Sequence, residues 1–222
     1  MRDYRTLLEE ENDLWHAHGT LLRDKHTQLS ILLVAPKRSG KSNIADRLLQ
    51  IGGWELIVND YLEWTVRDDN LYGGFRFSNK PAQFWFRDAN DEKIYRNKLW
   101  DKRVWTRVGA ICSISVFRTD GEVKICKGHE GDQAYWGNLY TGRSNRWKSI
   151  NAGVTAKHLS SITSTLKLPK EFSNKVFDTA ATMIDNDMRP TDKETDADKE
   201  IVFKLNSLYE KFDSLNNSTT LL

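Results

Sequence analysis

Cysteine, proline and histidine are scarce in this sequence, and each scarcity excludes something. Among 222 residues there are two cysteines, four prolines and five histidines. Cys112 and Cys126 cannot build a disulfide-stapled scaffold. Each sits in an apolar, strand-like run and reads as a buried free thiol. The scattered histidines give no four-ligand zinc spacing, and His16 and His18, two apart, would diverge on a helix. An apolar run of the roughly 18 residues that a membrane span needs occurs nowhere, and the charged start "MRDYRTLLEEEND" is unlike a signal peptide. A soluble, cytoplasmic protein with no membrane contact is therefore expected. There is no internal repeat. The formal net charge is only +2, so the total alone does not mark a nucleic-acid binder.

Apolar residues make up 39% of the chain, enough to bury a core in one domain of ordinary size. Leucines and Trp15 recur near helical spacing over residues 2–28, which predicts helix there. "LSILLV", residues 29–34, is a short apolar run of the kind that forms a fully buried, central parallel strand. A helix is expected from about Lys41 to Gln50, stopped by Gly52-Gly53. From residue 54 to 150 the chain is rich in β-branched and aromatic residues. Asp120-Gly121 is the best hairpin signal there, because it supplies the positive φ angles of a type I′ turn. Residues 91–102 suggest one inserted helix. After Asn151 the pattern turns helical again. Residues 1–188 read as one globular domain, 189–200 ("RPTDKETDADKE") as a flexible linker or loop, and 201–216 as a C-terminal helix with Ile201, Val202, Leu205, Leu208, Tyr209, Phe212 and Leu215 on one face. The expected class is α/β or α+β: a sheet that starts strand–loop–helix, an aromatic strand-rich middle, and C-terminal helices.

The most informative stretch is "LSILLVAPKRSGKSNIADRLL", residues 29–49. An apolar strand leads into a basic turn, and a helix opens on Gly40-Lys41-Ser42. This is the layout of a phosphate cradle, in which backbone N–H groups and a helix N-terminus converge on phosphate oxygens. Lys37, Arg38, Ser39, Gly40, Lys41 and Ser42 would line it, with Lys41 on the outer phosphates and Ser42 on magnesium. The pattern G-x-x-x-x-G-K-[ST] departs at Ala35, where glycine is usual. Alanine is harmless there at negative φ and costs about 1–2 kcal/mol at positive φ. A magnesium-binding acid is expected at a strand end, and Asp60, closing "ELIVND", is the candidate.

The stretch resembles P-loop proteins. "KRSGKSNIADRLL" in particular resembles the first loop and helix of phage-type deoxynucleoside monophosphate kinases, over about 20 of the 222 residues. The resemblance implies nucleotide binding with ATP and Mg2+, and phosphoryl transfer to a (deoxy)nucleotide. Under it Lys41 would be catalytic, and Arg143 and Arg146 in "TGRSNRW" would serve as lid arginines. Such a kinase should be α/β throughout.

The middle of the chain supports a different expectation. Residues 71–150 hold 15 Lys/Arg against 8 Asp/Glu, whereas residues 51–70 hold one against five. Seven of the eight tryptophans also fall between Trp54 and Trp147. Tryptophan stacks on bases and arginine neutralises phosphates. The alternative is thus a non-catalytic, viral or phage-type structural or accessory protein that binds single-stranded nucleic acid or a partner protein. Core tryptophans on strands would account for the same pattern.

Overall fold

The computed structural model describes residues 15–75, 85–87, 92–95, 104–128 and 159–219. Nine strands and three helices are built from them. The strands are β1 (Trp15–Asp24), β2 (Ser30–Val34), β3 (Trp54–Arg67), β4 (Asn70–Phe75), β5 (Trp85–Arg87), β6 (Lys93–Tyr95), β7 (Trp105–Ile114), β8 (Lys124–Lys127) and β9 (Thr163–Lys167). The helices are α1 (Lys41–Ile51), α2 (Asn174–Asp187) and α3 (Asp196–Thr219).

The main sheet runs β2-β1-β3-β4-β7-β9-β8, and β2 also pairs with β7. That extra pairing closes β1, β2, β3, β4 and β7 into a five-stranded barrel, from which β9 and β8 extend as a flap. β2 lies antiparallel to β1, with Gly19 opposite Val34, and parallel to β7, with Val34 opposite Ser113. β7 is shared along its length. Its first half pairs antiparallel with β4, and its second half pairs parallel with β9. β5 and β6 form a separate ribbon. The chain is thus mixed α/β, but its sheet closes on itself.

Closure of so small a barrel needs sharp bends and close approaches. β1 bulges between Leu21 and Leu22 against β3. A side chain at Gly74 would meet the Trp105 ring at 2.7 Å, so glycine there lets the indole lie across β4. Leu21, Leu32, Val58, Leu62, Trp64, Val108 and Ile111 fill the interior. Leu22, Leu33, Ile44, Leu48, Cys112, Phe177 and Ile184 form a second layer, between the barrel wall and the pair α1 and α2. Tyr72, Trp105 and Leu205 form a third cluster under α3.

Several expectations are corrected. Trp15–Asp24 is a strand, not part of a helix. Its Leu21-Leu22 pair, which mimics a helical stripe, is buried on opposite faces: Leu21 inside the barrel, Leu22 outside. Residues 1–14 lie outside the described residues. β2 is parallel on one side only. Asp120-Gly121 makes no two-residue hairpin, because β9 lies between β7 and β8. The tight turn is instead Asp68-Asp69, joining β3 to β4, with both residues at positive φ (48° and 59°). Lys93–Tyr95 is a strand where a helix was expected, and Thr163–Lys167 is a strand inside the C-terminal "helical" part. Cys112 is buried, but Cys126 is exposed, and both are free thiols.

Residues 189–200, which read as a linker, are fastened to the barrel, and α3 begins within them. Arg189 pairs with the buried Asp24 at 2.7 Å and with Asp185, and its guanidinium lies 4.7 Å over the Trp54 ring. The N–H of Glu194 donates to the Thr27 carbonyl at 2.9 Å. Asp198 is almost fully buried. It accepts from the Tyr72 hydroxyl at 2.7 Å and from the N–H and hydroxyl of Thr195 at 2.8 Å, and pairs with Arg107 at 3.1 Å. A buried carboxylate without such partners would be very costly, so sequence polarity here marks an anchor rather than a tether.

Burial alone would raise the pKa of Asp198. The donors from Thr195 and Tyr72 and the charge of Arg107 outweigh it and hold the carboxyl below its usual 3.8. A carboxylate depressed in the folded state stabilises the fold above its ordinary value, and the contribution is lost as pH falls through the depressed one. Tyr72→Phe is therefore expected to lower stability at neutral pH by about 1.5–3 kcal/mol, the range for a hydrogen bond to a charged group. The gap to wild type should narrow as pH drops below 3.8. Urea denaturation across that range measures both, and a gap that is independent of pH would contradict the assignment.

Candidate functional site: the loop before the first helix

The loop begins where β2 stops. Val34 and Ala35 are buried, and Ala35 sits in the layer beneath α1 with its backbone outside the positive-φ region. The methyl group at this departure from the glycine pattern therefore carries no backbone cost and adds to the core. The hydroxyl of Ser39 donates to the Pro36 carbonyl at 2.5 Å and pins the turn. Lys37 and Arg38 are exposed.

Handedness then alternates along the turn. Arg38 (φ 62°) and Gly40 (φ 90°) are left-handed, while Lys37, Ser39 and Lys41 are not. Alternation of this kind turns successive N–H groups to one side and makes a concave nest for an anion. Among the described residues, the backbone N–H groups of Lys37, Arg38 and Gly40 are donated to no protein acceptor, while that of Ser39 closes the turn onto the Pro36 carbonyl. A non-glycine residue at positive φ, as at Arg38, costs free energy and is concentrated at functional sites. The helix adds its own field. α1 starts at Lys41 with no side-chain cap and no acidic residue in its first turn, so its positive end is not neutralised locally.

Gly40 is required twice over. Its φ is left-handed, and a Cβ there would stand 2.6 Å from Cε1 of Phe177. Phe177 belongs to α2, whose N-cap Ser173 accepts from the N–H of Val176 at 3.3 Å. Arg47 of α1 pairs with Asp178 of α2 at 2.9 Å. The helix pair thus braces the loop from behind.

Lys41 is buried, and its Nζ donates to the Thr20 hydroxyl of β1 at 3.1 Å. Thr20 in turn donates to Oδ1 of Asn59 on β3 at 2.7 Å, and Ser42 reaches the same oxygen at 3.5 Å. Thr20 and Asn59 are direct partners in the β1–β3 register, which is how residues 39 positions apart converge on the helix start. Of the residues expected at the site, 37–42 are together on the loop. Asp60 is placed in backbone only, next to Asn59 and opposite Gly19, and its side chain lies outside the described residues. Arg143 and Arg146 also lie outside them. Thr20, Asn59 and Phe177 were not foreseen. Two neutral oxygens, from Ser42 and Asn59, suit a magnesium ion that also carries phosphate ligands and waters. Among the described residues, no three His, Cys, Asp or Glu side chains cluster to hold a metal alone.

The described tryptophans of the aromatic middle supply no stacking surface. Trp54, Trp64 and Trp105 are all buried. Trp54 also donates its Nε1 to Asp185 at 2.7 Å. The side chains of Trp85, Trp100, Trp136 and Trp147 lie outside the described residues. No helix among the described residues is long and apolar enough to cross a membrane.

No protein-family profile matches the chain, and no curated protein sequence does. Among solved structures, the fold is similar to the Hpr(Ser) kinase/phosphatase from Coxiella burnetii, with a TM-score of 0.40 and 14% identity over 78% of this chain and 94% of that one. A likeness at that score assigns neither fold nor function.

Gly40→Ala is expected to cost at least about 2 kcal/mol, from the left-handed φ and the overlap with Phe177 together. Phe177→Leu would relieve only the overlap. The double variant should therefore lose less than the two single losses summed, and denaturation of all four proteins measures the coupling. Strict additivity would show that Phe177 does not brace the loop.

Proposed function

We propose that residues 37–42 bind the phosphate groups of a nucleotide or another phosphorylated ligand. The observation that carries the reading is the alternating handedness of residues 37–41 at the N-terminus of α1, which has no side-chain cap. The Lys-Arg-Ser-Gly-Lys resemblance supports it, as does the exposed positive charge of Lys37 and Arg38. Lys41 is placed by its hydroxyl partner at the helix start, where an ammonium neutralises phosphate charge.

With ATP as ligand, Ser42 and Asn59 would hold Mg2+ against the phosphates. The metal would supply charge neutralisation at the phosphoryl group. The reaction class this favours is phosphoryl transfer, with a (deoxy)nucleotide as acceptor and Arg143 or Arg146 approaching from a lid. In that scheme Lys41 stabilises charge on the transferred group, and the loop amides fix its orientation.

ATP with magnesium is expected to raise the melting temperature. At free ligand a hundredfold above Kd the stabilisation is about 2.7 kcal/mol, which for a chain of this size is several degrees. Lys41→Met should abolish the rise, and chelating the magnesium should reduce it. An equal rise in wild type and Lys41→Met would remove this reading.

A further inference from the structure

Three strands end side by side next to the phosphate loop. β2, β7 and β9 are mutually parallel in sequence, with Val34 opposite Ser113 and Ile114 opposite Leu166. Their carboxyl ends therefore emerge side by side at one end of the barrel, next to the loop that follows β2. The segments leaving them are 35–40, 115–123 and 168–173. The N–H of Thr119 donates to the Leu168 carbonyl at 3.0 Å, which ties the second to the third.

Five large apolar side chains among the described residues are exposed, and three of them, Val116, Phe117 and Phe172, lie on these segments. Phe117 is 63% exposed, which burial in the chain's own core does not explain. Of the three, Phe172 is joined to the loop by a ring contact. Phe172 lies 5.6 Å from Phe177, the ring that sits against Gly40. The guanidinium of Arg118 stacks on the other end of this row, 4.7 Å from the Phe172 centroid. Its Nη1 is buried and has no hydrogen-bond partner among the described residues. Burial also pulls the Arg118 pKa below its usual value, the mark of a cation short of compensation.

We infer that the ligand of the phosphate loop is a nucleotide whose base packs on Phe117 and Phe172 beside Arg118. The inference rests on the phosphate-binding reading above. A phosphate tail in the loop leaves the rest of the ligand to run along this edge. A purine or pyrimidine supplies what the edge lacks: an apolar planar face for exposed rings beside a stacked guanidinium. A simple sugar phosphate has no such face.

Calorimetric titration of the full chain with tripolyphosphate and with the four common nucleoside triphosphates separates the two claims. At least one nucleotide should bind about tenfold more tightly than tripolyphosphate, the contribution of one stacked base. Phe117→Ala and Arg118→Gln should each remove about that tenfold for the nucleotide and leave tripolyphosphate unchanged. Phe117 is exposed, so its variant is expected to fold, and its melting temperature checks this. Tripolyphosphate binding that is lost in Lys41→Met, with nucleotides no tighter and Phe117→Ala silent, would overturn the base seat and leave the phosphate site standing. Absence of binding by any of these ligands would overturn both. A dimer in sedimentation that Phe117→Ala dissolves without changing nucleotide affinity would assign the surface to self-association and overturn the inference.

Discussion

The parallel pairing of β2 with β7 is the constraint from which the rest of the arrangement follows. It closes the barrel, and it makes β2 a strand whose every residue is buried. A chain leaving such a strand must turn at the barrel rim, and here it turns into a helix that packs back on the wall through Ile44, Ala45 and Leu48. The phosphate loop occupies that turn. The same pairing fixes the neighbours of the loop. β1, on the other side of β2, carries Thr20, and β3 beyond it carries Asn59. A slip of one residue along either strand would turn its polar group toward the apolar interior.

The charged residues serve this frame rather than compete with it. Asp24 and Asp198 are buried carboxylates satisfied by several donors each, and both are held below the usual aspartate range despite burial. They fasten the segments before and within α3 to β1, β4 and β7. Arg189 joins Asp24 to Asp185 at the end of α2, so the helix that braces Gly40 is itself tied to the first strand. Electrostatics at the core is therefore spent on holding α2 and α3. At the loop, by contrast, Lys37 and Arg38 place positive charge at the surface beside the N-terminus of α1.

The loop and α1 were legible in the sequence because their signals are local: an apolar strand, a glycine before lysine and serine, and a Gly-Gly stop. The importance of Gly40 was legible as a pattern, but its contact with Phe177 spans 137 positions and was not. β1 was misread because a strand buried on both faces has no alternation, and Leu21-Leu22 fits a helical stripe equally well. Asp68-Asp69 was overlooked in favour of Asp120-Gly121. Which turn closes a hairpin depends on whether a third strand intervenes, and β9, written as the half-polar "TSTLK", gave little sign that it would. Asn59 was hidden behind Asp60. The distinction between them is one of strand parity, set by the β1–β3 register and its bulge, which composition does not record.

The account stands on the amides of Lys37, Arg38 and Gly40 being the groups that grip an anion. The most direct measurement is an amide nitrogen–proton correlation spectrum of the isotopically labelled protein, titrated with tripolyphosphate. The account predicts that the resonances of Lys37, Arg38 and Gly40 move downfield together in one saturating transition, as their N–H groups come to bond phosphate. Saturable binding that leaves those three resonances in place and moves others would contradict it.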